Sequence, residues 1–364
     1  MKIVISGYYG FDNSGDDALL MSIIDNLKKN DEKAEITVLS KNPQQTKRQY
    51  GVGAANRYNP FSLIKTIATC DLLISGGGTL IQDATSTKSL FYYLFVIKLA
   101  QIFRKKVMLY ANGIGPLNSF KNIENTQKIL DNVDLITLRD PKSREELEKI
   151  GVTKPKIELT ADPAFLIEAN ESGKSVLETY GVPSDKPLMC VSVRQWKNNP
   201  ENFEEIMAKF CDYAADKYGL FTVFLTMQHK VDFAIASNIK EKMRNKSVVV
   251  GANYPVETIL SVMDQMTVSV GMRLHTLIYS ASRMIPLIGI VYDPKINGFL
   301  EYLGDNRYTM VEDLSYDALC KNLDYVKENY DTICSGLKYH IRSLKSKAEE
   351  NGKLLSQLLY GGDE

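Results

Sequence analysis

The sequence carries no excess charge of either sign: 44 lysines and arginines are balanced by 44 aspartates and glutamates. No global field draws such a chain to nucleic acid, so no nucleic-acid partner is expected. Cysteine is sparse and unpatterned. Cys70, Cys190, Cys211, Cys320 and Cys334 form no C-x-x-C pair and no zinc spacing, and an odd, scattered set points to a reducing compartment. Nothing else in the chain shows metal-ligand spacing, so no metal and no cofactor is expected. The longest apolar stretch, "LFYYLFVIKLAQIF", is too short to span a bilayer and contains Lys98. The opening "MKIVISGYYG" reads as a strand running into a glycine turn and not as a signal peptide. These absences lead to the expectation of a soluble, cytoplasmic globular protein.

What is present is a regular alternation. Short β-branched runs alternate with longer helical patterns, the signature of α/β units on a parallel sheet. The first half offers "KIVIS", "EITVLS", "DLLIS", "KVMLYA", "DLITLR" and "KIELTA" as strands, and the second "LMCVSV", "FTVFLT", "SVVVG", "MTVSV" and "IPLIGIV". A polar, turn-rich stretch separates them. The spacing predicts two Rossmann-like, doubly wound domains facing a cleft, at residues 1–166 and 188–337, joined by a connection at 167–187 that carries one short helix. Residues 338–364 read as a charged helical tail packing back across both. Ligands of such sheets bind beyond the carboxyl ends of the strands, so the strand-end loops are the candidate site.

Each loop has a functional and a bland interpretation. "GYYGFDNSGDDALL" opens a helix at Asp16 and Asp17, where carboxylates satisfy the helix dipole and repel phosphate. It is either a glycine turn with acidic caps or a neutral-ligand loop in which Asn13, Asp16 or Asp17 bonds hydroxyls. In "ISGGGTLIQDATSTKSL", Gly76, Gly77 and Gly78 form either a structural turn or a concave array of amides suited to an anion. Asp83 and Ser86 follow as polar contacts or caps. In "LRDPKS", Arg139 is either a surface arginine pairing with Asp140 or a cleft cation.

In the second half, Arg194 ends a strand beside Trp196, the only tryptophan. Gln228 and His229 end another. "GMRLHTLIYS" places Gly271, Arg273 and His275 where a strand hands over to a helix near Met272. The histidine is either structural or a proton donor whose pKa is set by the helix dipole and a bound anion. "GIVYDPKINGF" adds Asp293 and Lys295 at the next strand end. Arg273, His275 and Lys295 together would make a polyanion site with a titratable group.

Taken in order, "GYYGFDNSGDDALL", "SGGGTLIQDATSTKSLFYY", "GIGP", "LRDPKSREELEKIGV", "ADPAF", "GMRLHTLIYS" and "YDPKINGF" resemble the polysaccharide pyruvyl transferase family, particularly its CsaB-type bacterial cell-wall branch. The resemblance implies a GT-B-like fold with an acceptor-binding amino-terminal domain and a donor-binding carboxyl-terminal one. It implies transfer of pyruvyl from phosphoenolpyruvate, a donor substrate, to a sugar as a cyclic 4,6-ketal. In the CsaB-type branch the acceptor is a lipid-linked disaccharide containing N-acetylmannosamine, destined for secondary cell-wall polymer and S-layer anchoring. Carried onto this chain, it implies Arg139, His275 and Lys295 as catalytic, with Arg273 beside them; Gly271, Arg194 and Asp293 at neighbouring strand ends complete the expected donor-binding set.

The chemistry agrees with the residues. A phosphate and a carboxylate need several cations, and protonation of the enol C3 needs an acid that holds a proton near neutrality. Asp16, Asp17 or Asp83 would take the hydroxyl proton. A GT-B glycosyltransferase using a nucleotide-sugar and a non-catalytic binder of anionic glycans are the rival interpretations. One segment points beyond the strand ends: in "SLFYYLFVIKLAQIFRKKV", Lys98, Gln101 and Lys105 fall on one helical stripe among apolar residues. Either this helix is buried core, or it lies peripherally on the inner membrane leaflet, where each cation of Arg104, Lys105 and Lys106 gains about 1 kcal/mol on anionic lipid.

Overall fold

The computed structural model describes residues 1–251 and 253–361. The chain divides into a first unit of Met1–Leu166 with Leu344–Glu364, and a second unit of Ile167–Ser343.

In the first unit the strands are β1 (Lys2–Ser6), β2 (Glu35–Ser40), β3 (Gly53–Asn56), β4 (Leu72–Gly76), β5 (Lys106–Asn112), β6 (Leu135–Leu138) and β7 (Lys156–Leu159). They form a parallel sheet in the order β3-β2-β1-β4-β5-β6-β7. The connecting helices are α1 (Ser14–Asn30), α2 (Pro43–Tyr50), α3 (Pro60–Ala68), α4 (Thr87–Ile102), α5 (Phe120–Leu130) and α6 (Pro141–Lys149). Parallel strands covered on both faces read as continuous apolar runs, and "LLIS" of β4 is buried at every position. One face packs against α3, α4, α5 and α6 through Leu63, Ile97, Leu130 and Leu147. The other packs against α1 through Leu20 and Ile23, and also takes Leu355 from the end of the chain.

The second unit begins with α7 (Gly173–Thr179) and runs β8 (Leu188–Ser192), α8 (Phe203–Tyr218), β9 (Phe221–Leu225), α9 (His229–Lys242), β10 (Ser247–Val250), α10 (Val256–Met263), β11 (Met266–Gly271), α11 (Leu274–Ser282), β12 (Leu287–Val291), α12 (Pro294–Tyr302), β13 (Tyr308–Met310) and α13 (Tyr316–Glu328). Its parallel sheet has the order β10-β9-β8-β11-β12-β13. Both sheets are therefore doubly wound, with the order reversing between β1 and β4 in one and between β8 and β11 in the other. A crevice at that reversal is where such sheets hold ligands.

The eleven strands expected from the sequence are all present. The two additional ones, β3 and β13, are edge strands. "GAAN" and "YTM" are short and at most half-buried, so neither has the apolar run that marks a covered strand. The expected connection at 167–187 is not a free linker. Its helix α7 packs on α10, where the Gly173 amide donates to Ser261 Oγ at 2.7 Å and a Cβ on Gly173 would collide with the Ser261 carbonyl.

The expected tail from 338 is also different. It is part of one long helix, α14 (Tyr330–Tyr360), whose residues from Leu344 belong to the first unit. There Asn351 is fully buried. Its Oδ1 accepts from Thr137 Oγ1 at 2.6 Å and Thr160 Oγ1 at 2.9 Å, and its Nδ2 donates to the Ala161 carbonyl at 3.0 Å. At Gly352 the helix passes so close to α1 that a Cβ would strike the Asn26 side chain. The helix is thus clamped to the ends of β6 and β7 through one amide.

The segment from Ser89 to Val107 departs from the expected polar stripe. Helix α4 stops at Ile102, and Arg104 takes a left-handed φ of 54°, so Lys105 is off the helix. Gln101 turns inward and donates to the carbonyls of Ile129 and Asn132 at 2.7 and 3.0 Å. The solvent face carries Phe91, Phe95 and Ile102 instead.

Asn351→Ala should take one acceptor from two buried threonine hydroxyls, which keep bonds to the Leu109 and Leu138 carbonyls, and one donor from the Ala161 carbonyl, at a cost of about 1–3 kcal/mol. Urea unfolding measures this; a loss under about 0.5 kcal/mol would show that α14 is not fastened by this amide.

Candidate functional site

At the strand ends of the first unit, Tyr9 bridges the order reversal. Its hydroxyl donates to the Gly76 carbonyl at 2.7 Å, tying the loop after β1 to the end of β4. Burial, followed by the nearby Asp16 carboxylate, holds the Tyr9 hydroxyl well above its ordinary pKa. Asn13 is the cap of α1, its Oδ1 accepting from the Gly15 amide at 3.2 Å. Ser86 caps α4 in the same way, accepting from the Ser89 amide at 3.2 Å.

The triple glycine is not an open nest of amides. A side chain on Gly76 would strike Tyr9 and Ile23, and one on Gly77 would strike Leu19 of α1. Gly77 and Gly78 adopt left-handed φ of 62° and 75°, which favours glycine. The Gly77 amide is bonded to the Tyr110 carbonyl at 3.0 Å. The loop's function is close passage, and what it faces is a carboxylate: Asp16 Oδ1 lies about where a Cβ on Gly78 would touch, at 3.1 Å.

The acidic candidates separate by environment. Asp83 accepts from the amides of Asn118 and Ser119 and from the side chains of Asn118 and Asn122, at 2.7–3.2 Å. Its carboxyl is lowered: burial opposes the shift, but the bonds from Asn122, Asn118 and Ser119 outweigh it. It organises a loop and is unsuited to accept a proton. Asp17 accepts from the Tyr50 hydroxyl at 3.1 Å, and burial pushes it up to about 7 despite that bond.

Arg139, expected among the catalytic cations, is instead a buried strut. Its side chain is 5% exposed. Nη1 reaches Asp162 Oδ2 at 3.0 Å, Nη2 donates to Thr79 Oγ1 at 3.0 Å, and Asp140 lies at 3.9 Å. Asp140 itself caps α6. Arg139 therefore fixes the loop after β4 to the segment after β7. Its partner Asp162, in "ADPAF", is a buried carboxylate that the sequence motif contained without disclosing what it pairs with.

In the second unit, adjacency of β8, β11 and β12 brings the loops of Arg194, Arg273 with His275, and Lys295 side by side. Arg273 is the N-cap of α11 and is buried. Its Nε lies 3.1 Å from both carboxylate oxygens of Asp232, and Nη2 bonds to Asp232 and, at 3.4 Å, to Gln228. Asp232 also accepts from the amides of Met227 and Gln228 at 3.1 and 2.9 Å. The expected donor cation is thus already neutralised by a carboxylate in the first turn of α9, which the sequence reading missed. Gly271 is likewise a packing glycine, since a Cβ there would strike Leu277. Asp293 is the cap of α12, its Oδ1 accepting from the Lys295 amide at 3.1 Å.

What remains for a ligand is specific. Arg194 is half-buried, with Nη1 donating to the Tyr292 hydroxyl at 2.9 Å and the guanidinium stacked against Trp196 and Tyr292. Among the described residues it has no carboxylate partner, and the buried Nε bonds to nothing. Lys295 is partly exposed and pairs with Asp293 at 3.2 Å. His275 sits in the first turn of α11, whose N-cap Arg273 contributes no capping bond from its side chain. A helix start of this kind attracts an anion. Among the described residues no three histidine, cysteine or carboxylate side chains gather to hold a metal.

A family model described as polysaccharide pyruvyl transferase matches residues 13–294. The chain belongs to that family. Across nearly its whole length it is also similar to the amylovoran biosynthesis protein AmsJ of Erwinia amylovora, 21% identical over 92% of this chain and 94% of that protein. Among solved structures, the UDP-GlcNAc 2-epimerase of Neisseria meningitidis bound to UDP-GlcNAc covers both chains completely, with a TM-score of 0.71 at 10% identity. Anabaena Alr3699/HepE in complex with UDP-glucose also covers both completely, with a TM-score of 0.68 at 11% identity. At those identities the likeness shows the fold alone, two Rossmann-like units of the GT-B-like kind. Family and fold make this member a glycan-modifying transferase.

Arg139→Ala should take the buried guanidinium away from Asp162 and lower stability by roughly 3–5 kcal/mol. Denaturant unfolding measures the loss, and a change near zero would return Arg139 to the list of free cations. Asp17 gives a pH test. Its folded carboxyl titrates at about 7 against 3.8 for the exposed group. The stability this contributes is complete below pH 3.8 and lost as pH rises through about 7. Asp17→Asn should therefore be more stable than wild type at about pH 8, by on the order of 2–4 kcal/mol, and no more stable at about pH 3. Parallel melting curves across that range would contradict the assignment.

Proposed function

We propose that this transferase moves the pyruvyl group of phosphoenolpyruvate onto two hydroxyls of a sugar, releasing phosphate and leaving a cyclic 4,6-ketal. The observation that carries this reading is the family match over residues 13–294. The strand ends of the second unit support it chemically. Phosphoenolpyruvate brings a phosphate and a carboxylate, and the second unit offers Arg194, without an acid partner among the described residues, Lys295, and the start of α11.

In this reading His275 protonates C3 of the enol, leaving an oxocarbenium-like C2 held by its cationic surroundings. A sugar hydroxyl attacks C2, its proton restoring His275, and the C2–O bond to phosphate breaks. A second hydroxyl closes the ring at C2, and its proton leaves with the phosphate. Arg194 and Lys295 hold the donor's anionic groups, and Arg273 positions the start of α11 through Asp232. In the first unit Asp17, held near neutrality, and Asp16 beside it at the same helix start are the proposed hydrogen-bonding partners of sugar hydroxyls. Arg139 acts as a positioning residue for the loop after β4. The finer acceptor is an N-acetylmannosamine unit of a lipid-linked disaccharide, made for secondary cell-wall polymer and S-layer anchoring. No cofactor and no metal enters the scheme.

Phosphate release from phosphoenolpyruvate, measured with and without an amino-sugar disaccharide, tests the reaction. Release should require the acceptor and persist in a chelator. Consumption of a UDP-sugar instead, or complete reversible loss in the chelator, would overturn the scheme. Lys295→Ala and Arg194→Ala should each remove a charge-assisted contact of about 2–5 kcal/mol, a loss of roughly 30-fold or more in donor use. His275→Ala should bind phosphoenolpyruvate but not turn over. If it fails to bind, His275 is a ligand and the acid lies elsewhere.

A further inference from the structure

Among the described residues the first unit presents a set of exposed apolar side chains on two helices. On α4, Phe91, Phe95, Lys98 and Ile102 recur at helical spacing on the solvent side, with Phe95 at 51% and Ile102 at 63% exposure. Helix α3 packs beside α4 and adds Phe61, at 87% exposure, and Ile64. Large apolar side chains scattered singly over a surface are ordinary. A contiguous set on two adjacent helices is a docking surface.

Its charge is one-sided. The chain has 44 acidic residues, yet none lies in residues 36–70 or 84–123, the stretches that contain α3 and α4. Lys65, Lys88, Lys98, Arg104 and Lys105 border the apolar face. Among the described residues none of these five has a carboxylate partner, whereas other exposed cations such as Lys128, Lys242 and Lys353 do. In a chain of zero net charge, this is a local and uncompensated positive surface around exposed aromatic and aliphatic groups.

We propose that this face docks on an anionic lipid bilayer, with α3 and α4 lying in the interface. Phenylalanine and isoleucine enter the acyl boundary, and the surrounding lysines and arginines meet lipid phosphates. A second copy of the chain is a poor occupant. A two-fold contact would set the same unmatched cations against each other. The face also reaches the ligand end of the sheet. Tyr58 just before α3 and Tyr92 of α4 both stack on Arg57, whose Nη1 donates to the Gly7 carbonyl in the loop after β1 at 2.8 Å. Docking therefore brings the strand-end loops of the first unit to the bilayer surface, where a lipid-anchored glycan would be met.

The inference is independent of the pyruvyl-transfer reading, because it is tested without turnover. The full chain is co-sedimented with vesicles of phosphatidylcholine alone and of equal parts phosphatidylcholine and phosphatidylglycerol. It should bind the anionic vesicles, release in high salt, and bind neutral vesicles weakly. Phe91→Ser with Phe95→Ser, and separately Lys98→Glu with Lys105→Glu, should each lower partitioning at least tenfold, at roughly fivefold per cation lost. All four sites are exposed or half-exposed, and circular dichroism confirms that each variant is folded. Absence of vesicle binding by wild type, or equal binding by folded variants, overturns the proposal. So does sedimentation velocity showing a dimer that the phenylalanine variant abolishes, which would make the face a self-interface.

Discussion

In each unit one buried arginine is neutralised by one buried aspartate, and the strand-end loops hang from these two pairs. Arg139 with Asp162 and Arg273 with Asp232 are both almost fully enclosed. A charge in such a place is tolerable only when its partner and its remaining hydrogen bonds are all in position. Thr79 supplies one such bond in the first unit, and Gln228 with the amides that hold Asp232 supplies others in the second. Each pair links loops from different strands, so it fixes their relative geometry before any ligand arrives. That is the preorganisation a site for developing charge needs.

The same neutralisation sorts the cations. Those matched by buried carboxylates are structural, and those left over are available. Arg194 is held by aromatic rings and a tyrosine hydroxyl, contacts that orient a guanidinium without cancelling its charge. Lys295 keeps a partly exposed partner that an anion can compete with. The acidic side shows parallel sorting: Asp83 is fully engaged as an acceptor and stays ionised, while Asp17 is desolvated and titrates near neutrality.

The distribution of charge along the chain adds a second organising feature. Zero net charge conceals two acid-free stretches that fold next to each other on one flank of the first unit. Such a flank has no counterpart in composition averages. It becomes visible only when α3 and α4 are seen to share a surface and when their outward residues prove to be phenylalanine, isoleucine and lysine.

Sequence alone determined the class of fold, because parallel strands buried on both faces must be apolar along their length, as β4, β6, β8, β9 and β12 are. It missed β3 and β13, since an edge strand needs no such run. The ordered motifs likewise marked strand-end loops in both units, along with the family, but not the loops of Arg194 and Asp232. Only the tertiary structure decided which charges are free. Arg139, Arg273 and Arg194 look alike in a sequence, each an arginine at the end of a strand. Whether a carboxylate waits opposite depends on residues 23 and 41 positions away in the chain, and a long-range ion pair leaves no local pattern. The same holds for α14: nothing around Asn351 announces that one amide will meet two threonines some 190 and 214 residues earlier. Periodicity reports what a segment buries, whereas electrostatic pairing is settled by what the folded chain brings against it.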